Sequence, residues 1–291
     1  MFGFFKRQPP AVAPAPLAEA PPRGDALVEA VLMSGVVLPP YPAVLAELDH
    51  LLAEEDFELP RLVDLVGRDP SLRAALLRVA NSPVFGPRQP VSGLLQAITV
   101  LGLARARSVL VSAALRDALR DYGDPMLVRA LWARFSAIGN LAASLASHSA
   151  TLRQQADLAY TTGMFHGTGA FILAKRFPGE TRVLAHAGRN FEDELQRLGA
   201  ELGSDPARIS AMVARNWHLP AEVAEAIARQ RLGPQAIAES DTSGKLVCLL
   251  HLAIGRFDDG EAAPDWRHDA EMLGLDGDAL DEILATQGAA E

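Results

Sequence analysis

Hydrophobic residues recur every three or four positions along most of the chain, the spacing that places side chains along one side of an α-helix. One such stripe comprises Val128, Leu131, Phe135, Ile138, Ala142 and Leu145. The apolar-polar alternation of a half-buried strand never extends beyond a few residues. The pattern therefore predicts an all-α fold. Its later helices are expected over about 126–147, 155–176, 192–202, 206–216, 220–231, 242–257 and 278–286.

Helix boundaries in the first half of the chain can be read from capping residues. The prolines of LPPYP precede a helix over residues 43–53. Asp69 is placed to cap the N-terminus of a later helix, with Pro70 at the first helical position, where a missing N–H is harmless. Asn81 and the Ser-Pro after it should end that helix. The segment from Ser92 to Leu119 reads as two helices separated by a break at Leu-Gly-Leu.

Composition divides the chain into four segments. Residues 1–24 contain six prolines and are predicted to form a disordered Pro/Ala-rich leader. Residues 25–124 form an N-terminal helical subdomain that ends near the turn sequence YGDP. A second helical subdomain is expected over residues 125–235, and a short C-terminal helical extension over residues 236–291.

Charge and cysteine content narrow the functional classes. The 291 residues carry a net charge of −9, which argues against a general nucleic-acid binder because phosphate binding needs clustered cations. The single cysteine, Cys248, cannot form an internal disulfide and reads as a buried thiol in a reducing compartment. No apolar run reaches about 18 residues, so no membrane span is expected. These features predict a cytoplasmic protein.

One segment is locally basic and gives DNA binding as an alternative. Residues 92–120 contain four arginines and one aspartate, and the Gly102 break between two short helices invites a helix-turn-helix interpretation. Arg105 and Arg107 would then contact phosphates. The apolar residues of the same segment are needed for burial, however, and the basic footprint is small. A DNA-binding regulator is therefore kept only as a second alternative.

The histidines do not form a recognisable metal-binding motif. None of the seven lies three or four residues from another, and no CxxC spacing exists. His166, in the stretch GMFHGTGAF, is followed by Gly167, where a metal site would require a carboxylate. Because a metal site needs several protein ligands, a structural role for this lone histidine is the favoured interpretation.

Acidic and aromatic residues also have structural explanations. Glu192 and Glu194 lie in a helix with Arg197 three residues beyond the second of them, a spacing typical of a solvated helix face. No second group converges on them for acid-base catalysis. Trp132 and Trp217 are expected to be core anchors whose indole N–H groups find carbonyl acceptors.

Several stretches together resemble a known family. They are LPPYPAVLAELDHLL, LVGRDPSLRAALLRVANSPVFG and VSGLLQAITVLGLARARSVLV, followed in order by LW, GMFHGTGAFIL and WHLPAEVAEAIARQ. These blocks are similar to the HDOD domain, the HD-related output domain of bacterial signalling proteins, over about residues 26–234. The resemblance implies a fold similar to the HD superfamily of metal-dependent phosphohydrolases and a regulatory or protein-interaction role.

The resemblance also locates the positions at which less degenerate relatives keep metal ligands. In this sequence they are occupied by Phe135, His166, Gly167, Pro206, Gln230 and Arg231. Only His166 retains the ligand residue. Phe135 lies on the apolar stripe, and Gly167 has no side chain to bridge two cations. Pro206, with Asp205 or Ser204 before it, reads as a helix start.

These observations predict a non-catalytic signalling module with a vestigial metal site. No metal or cofactor is expected, and the expected partner is an unidentified protein of a bacterial signalling pathway. The first alternative is a metal-dependent phosphohydrolase that acts on a nucleotide or cyclic dinucleotide through an unusual set of ligands.

Overall fold

The computed structural model describes residues 37–82, 90–232, 241–259, 270 and 273–275. Within these ranges the regular structure consists of α-helices and short 3₁₀ turns, which confirms the all-α prediction. The helices are α1 Ala43–Leu52, α2 Leu59–Gly67, α3 Pro70–Ala80, α4 Leu94–Leu101, α5 Leu103–Ala118, α6 Pro125–His148, α7 Ala156–Phe165, α8 Gly169–Arg176, α9 Phe191–Glu201, α10 Pro206–Asn216, α11 Ala221–Arg229 and α12 Thr242–Asp259. The leader 1–24 and the helix predicted over 278–286 lie outside the described residues.

Side-chain caps start the helices at the positions that the sequence predicts. The Asp69 carboxylate accepts hydrogen bonds from the backbone N–H groups of Ser71 and Leu72, at 2.8 and 3.1 Å, and Pro70 is the first residue of α3. Asp205 caps α10 in the same way before Pro206. Each carboxylate accepts hydrogen bonds from first-turn backbone N–H groups, which have no carbonyl acceptor within the helix.

Asn81 ends α3 and connects it to the chain that follows. Its side-chain amide donates to the Val91 carbonyl at 2.7 Å, and its carbonyl oxygen accepts from the Val91 N–H at 2.7 Å. This pair of bonds joins residues ten positions apart, on the two sides of segment 83–89. A substitution that removed the amide would release both.

A single glycine separates α4 from α5. Gly102 has φ +76°, a left-handed conformation that favours glycine, and the chain bends by 114° between the two helices. In the described part of the chain no single helix is long and apolar enough to cross a bilayer. Among the described helices, α4 and α5 taken together have the length and apolar character of a span, but the bend at Gly102 separates them.

The prediction of one continuous helix over 155–176 is wrong, because α7 ends at Phe165 and α8 begins at Gly169. The backbone N–H of Gly169, which a continuous helix would bond to the Phe165 carbonyl, donates instead to the Ser210 hydroxyl at 2.8 Å. The Phe165 carbonyl accepts from the Thr168 hydroxyl and N–H, at 3.0 and 3.1 Å. Both halves are buried, so the hydrophobic pattern does not reveal the break.

The largest hydrophobic core extends from Leu45 to Ile227 and includes residues on both sides of position 124. Helix α6 packs along α7, and α12 packs against both of them through a second apolar cluster. The helix assigned to the C-terminal extension thus lies against the central helices. The division into four segments stays a prediction.

The two tryptophans differ in how their indole groups are paired. The Trp217 ring is fully buried, and its N–H donates to the Pro39 carbonyl at 3.0 Å, as expected. The Trp132 ring is buried against Phe171 with 4.9 Å between ring centroids. Its N–H has no hydrogen-bond acceptor among the described residues, so the expected carbonyl contact is not found there.

We expect Asp69→Ala to lower the free energy of unfolding by about 1 kcal/mol, because the Ser71 and Leu72 N–H groups lose their acceptor. Asp69→Asn keeps a side-chain oxygen and should retain most of the stability. Urea denaturation followed by circular dichroism measures both. Equal destabilisation by the two substitutions would show that the cap is not the cause.

Candidate functional site

A cavity of about 320 Å³ lies among five elements of the fold. Helices α9 and α12 line it, together with the start of α10, the end of α11 and the junction between α7 and α8. Its polar lining comprises His166, Glu192, Gln196, Gln230, Arg231 and His251. Leu195, Pro206, Ala207 and Ile254 contribute apolar wall. The cavity contains four of the six positions that the resemblance singles out, and the other two, Phe135 and Gly167, pack beside His166.

His166 occupies the first position of the break between α7 and α8, and its side chain is fully buried. Ring atom Nδ1 lies 2.6 Å from the Gly163 carbonyl oxygen. Because a carbonyl only accepts, the Nδ1 atom of His166 carries a hydrogen. Nε2 has no hydrogen-bond partner among the described residues and lies 3.6 Å from the nearer carboxylate oxygen, Oε1, of Glu192.

The Phe135 ring occupies the space that a carboxylate at position 167 would need. It is completely buried and meets the His166 ring edge to face, with 4.9 Å between centroids. A Cβ atom placed on Gly167 would lie 2.2 and 2.4 Å from Cζ and Cε1 of Phe135. These distances are far below van der Waals contact. An aspartate at position 167 is therefore incompatible with a phenylalanine at position 135 in this arrangement.

Of the three remaining positions, Pro206 and Gln230 have structural roles. Pro206 is the first residue of α10. The Gln230 side-chain amide donates to the His166 carbonyl at 3.0 Å, and the Gln230 main-chain carbonyl lies 2.7 Å from Nε2 of His251. Arg231 is exposed at the rim of the cavity. These contacts join the end of α11 to the α7–α8 junction and to α12.

Two charged residues that the sequence analysis did not single out, Arg134 and Asp258, form a cluster with Glu192 beside the cavity. Arg134, with 7% of its side chain exposed, donates to both carboxylate oxygens of Asp258 at 2.6 and 2.8 Å and to Glu192 at 3.1 Å. Its guanidinium also lies 4.5 Å from the Phe191 ring centroid and 5.1 Å from that of Phe257. Burial opposes the charge, but the hydrogen bonds and charges of Asp258 and Glu192 outweigh it and raise the pKa of Arg134.

The interpretation of Glu192 as part of a solvated face is wrong. Glu194 does pair with Arg197 at the surface, but Glu192 lines the cavity, with 30% of its side chain exposed. Burial would raise the pKa of Glu192, yet His166 and Arg134 together hold it below its usual range. One signal was available: Arg134 lies three residues after Leu131 and four before Ile138, so it adjoins the apolar stripe, and a buried arginine requires an acidic partner.

The residues do not fit the two-metal centre of HD phosphohydrolases. Bridging of two cations requires a carboxylate next to His166, and the Phe135 ring excludes one. Across the ranges that the structure describes, no group of three or more His, Cys, Asp or Glu side chains is arranged to bind a metal ion. Nε2 of His251 already contacts the Gln230 carbonyl. We therefore derive no chemical step through a metal at this site.

The contact between Phe135 and Gly167 predicts a coupled pair of substitutions. Gly167→Ala should destabilise the fold by about 1–3 kcal/mol through overpacking. In a Phe135→Leu background, which removes the clashing ring atoms, the added cost should fall by at least about 0.5 kcal/mol. A double-mutant cycle measured by urea denaturation gives both values.

Gly179→Ala is the matched control, because a Cβ there meets no atom within 4 Å and φ is −72°. Its effect should stay within about 0.5 kcal/mol. Additivity of the substitutions at positions 135 and 167 would contradict the steric account.

Loss of the Asp258 carboxylate should strongly destabilise the protein. Asp258→Ala leaves Arg134 buried with only its single contact to Glu192, and we expect a cost of at least about 2 kcal/mol in the free energy of unfolding. Glu201→Ala removes a solvent-exposed partner of Arg197 and should cost no more than about 0.5 kcal/mol. Similar small losses for both would mean that the buried cluster contributes little.

The lowered pKa of Glu192 predicts a particular pH dependence. A carboxyl with a depressed pKa in the folded state stabilises the protein fully above its unfolded pKa, about 4.3, and loses that contribution as the pH falls through the folded value. The stability difference between wild type and Glu192→Gln should therefore be constant near neutral pH and shrink in acid. Urea titrations at several pH values test this. A difference that grew on acidification would reverse the sign.

Comparison with known proteins agrees with this fold. The chain superimposes on an HDOD domain protein of unknown function from Geobacter sulfurreducens with a TM-score of 0.67 and 21% identity, covering 91% of this chain and 93% of that one. A "Putative phosphohydrolase" from Shewanella amazonensis SB2B superimposes with a TM-score of 0.65 and 24% identity, and the match covers 91% of this chain and 94% of that one. A "Putative signal transduction protein" from Marinobacter aquaeolei VT8 superimposes with a TM-score of 0.61 and 26% identity, and the match covers 88% of this chain and 58% of that one. For the Geobacter and Shewanella proteins, which are 21% and 24% identical to this chain, the likeness shows a shared fold.

Sequence comparison leads to the family. An uncharacterised protein of Treponema pallidum (strain Nichols) is 27% identical over 227 residues, which are 77% of this chain and 43% of the relative. The chain thus spans less than half the length of this relative. The HDOD domain signature matches residues 38–232, about two thirds of the chain. The chain belongs to the HDOD domain family.

Proposed function

We propose that this HDOD chain is a non-catalytic signalling module that acts by binding a partner protein. The observation that carries the proposal is the Phe135 ring packed where a Gly167 side chain would project. A metal-bridging carboxylate and this ring exclude each other, so the residues that replace the ligands are mutually adapted. Such a site supplies a packed core in place of a Lewis acid.

The polar residues around the cavity support a structural role for the same region. Both terminal nitrogens of Arg134 donate to carboxylates. The Gln230 side-chain amide donates to the His166 carbonyl, and the Gln230 main-chain carbonyl contacts the His251 ring. These bonds join α6, α9, α11 and α12 around one cavity. A change in any of these helices therefore reaches the others through defined contacts, which suits a module that transmits a signal by shifting the packing of its helices.

The partner is expected to be a protein of a bacterial signalling pathway, in the cytoplasm. The name of the Marinobacter aquaeolei relative, at 26% identity, points to the same class of function. DNA binding has less support, because the Arg107 guanidinium is engaged by Asp49 at 2.8 and 3.1 Å and is only partly exposed. An arginine committed to an internal carboxylate is not available to a phosphate without breaking that pair.

A metal-dependent phosphohydrolase is the alternative, and the name of the Shewanella amazonensis neighbour is its reason. Protein purified without chelator and then analysed for transition metals should contain far less than one equivalent per chain. It should not hydrolyse bis(p-nitrophenyl) phosphate or cyclic dinucleotides when Mn²⁺ is added. Stoichiometric metal lost on His166→Ala, together with turnover abolished by EDTA, would establish the enzyme instead.

Partner binding requires its own test. Affinity capture from the native cell, followed by mass spectrometry, should recover a defined protein with the wild-type chain. Gly167→Asp, which disturbs the packed site, should reduce recovery of that protein if the site transmits the signal, whereas Gly179→Ala should not. Equal recovery with a correctly folded Gly167→Asp chain would separate partner binding from the cavity.

A further inference from the structure

We propose that a second concave region, here called the α6 groove, is the surface on which an acidic amphipathic helix of the partner protein docks. It lies between α6, the 3₁₀ turns Glu180–His186 and Gly188–Asn190, the start of α9 and the end of α12. Its apolar walls include Ala130, Ala133, Leu184 and Phe257. The described residues that line it differ from those that line the cavity at His166. The inference rests on the proposed function, because it names the surface and the kind of partner for the same signalling role.

Apolar side chains are exposed together along the α6 groove. Phe257 lines it and is 42% exposed. Met126, which is 53% exposed, precedes Ala130 by four residues and Ala133 by seven, so the three lie along one side of α6. Scattered exposed apolar residues are ordinary on a protein surface, whereas neighbouring ones are typical of interaction sites.

The shape of the α6 groove favours the side chains of a helix as its occupant. Its volume of about 320 Å³ accommodates a few inserted side chains while the backbone that carries them stays at the rim. The part of the chain that the structure describes forms no strand, so an extended peptide finds no sheet edge to join there. A flat bilayer surface does not fill a concave groove. A helix presents its apolar anchors at spacings of three and four residues, as such a groove requires.

The charge around the α6 groove selects an acidic partner. The charged residues that line it are Arg134, Arg189 and Asp258. Arg129 in α6 and Arg182 in the first 3₁₀ turn are exposed next to the wall residues. No acidic residue occurs in the wall segments 126–134 and 182–190, although the chain as a whole carries a net charge of −9. Because complementary charge speeds association and discriminates against other partners, this locally basic surface fits a helix with an acidic polar face.

Arg134 connects the α6 groove to the cavity at His166. Its guanidinium lies 5.1 Å from the centroid of the Phe257 ring and donates to Asp258, and both of these residues line the groove. The same guanidinium donates to Glu192, which lines the cavity. A helix seated on Phe257 would therefore contact the residues that hold Arg134 in place. Docking and the arrangement of the cavity share one side chain, which suits the passage of a signal between them.

The direct test is fluorescence anisotropy of the full chain with labelled synthetic peptides. Three peptides of about 18 residues carry leucine, methionine or phenylalanine at every third or fourth position and glutamate on the opposite face, since much shorter isolated helices are marginal in water. A peptide with the same composition in scrambled order measures the effect of charge alone. At least one of the three should bind saturably, and less tightly at high salt. Its scrambled form should bind at least about tenfold more weakly.

Ala133 offers the sharpest variant, because it is exposed in the α6 wall of the groove. Ala133→Glu adds bulk and a negative charge and should weaken peptide binding at least about tenfold, whereas Ala133→Gln adds similar bulk without the charge and should weaken it less. The double variant Arg129→Gln, Arg182→Gln should lower both the affinity and its salt dependence. Arg73→Gln, at an exposed position of α3, is the matched control and should leave both unchanged. Circular dichroism verifies that each variant is folded.

Several results would overturn the proposal. They are the absence of saturable binding by all three peptides, equal binding of the scrambled peptide, and an unchanged affinity in a folded Ala133→Glu chain. Self-association in sedimentation that Ala133→Glu abolishes would instead identify a second copy of this chain as the occupant. Binding to phosphatidylserine vesicles that the same substitution abolishes, without peptide binding, would identify a membrane surface.

Affinity capture separates failure of this proposal from failure of the signalling role. The Ala133→Glu chain should lose the protein that the wild-type chain recovers. Equal recovery would refute the α6 groove as the docking surface and retain a signalling module that binds elsewhere. Stoichiometric metal with turnover abolished by EDTA would refute the signalling role itself, whatever the peptides do.

Discussion

The packing of the Phe135 ring against Gly167 is the contact on which the site depends. With the Phe135 ring in its present position, a Cβ at position 167 would overlap it, so a side chain there would force the ring or the backbone to shift. The same ring lies edge to face against His166 and is buried in the largest core of the protein. One apolar side chain thus fills part of the volume near the remaining histidine, and the chemistry of this region follows from that choice.

A buried ionic cluster complements this apolar packing. Arg134 precedes Phe135 on α6 and binds Asp258 near the end of α12 and Glu192 at the start of α9. Two adjacent residues of α6 therefore have different roles. Phe135 packs its ring against His166, and Arg134 positions the carboxylates of Asp258 and Glu192. The cavity that remains is polar at its inner end and apolar along its walls. Among the described residues, the side chains around this cavity do not present the set of ligands that a two-metal centre requires.

Much of this arrangement could be predicted from the sequence, for physical reasons that are local. Capping by Asp69, the helix start at Pro206, the break at Gly102 and the buried stripe on α6 depend on short-range rules, and all are found. The break at His166 and the role of Glu192 depend on partners far away in the chain. Ser210 takes the N–H that would continue α7, and Arg134 lies 58 positions from Glu192. Periodicity carries no information about such partners, although an arginine three residues after one stripe position and four before another indicates where a partner is needed.

The central claim is that the volume beside His166 is filled by a ring and holds no pair of bridged cations. Crystals soaked in Mn²⁺ and measured at a wavelength with strong manganese anomalous scattering test it most directly. We predict clear density for the Phe135 ring against Gly167 and no anomalous peak within bonding distance of Nε2 of His166. Two peaks about 3.5–4 Å apart, one of them coordinated by that nitrogen, would contradict the account.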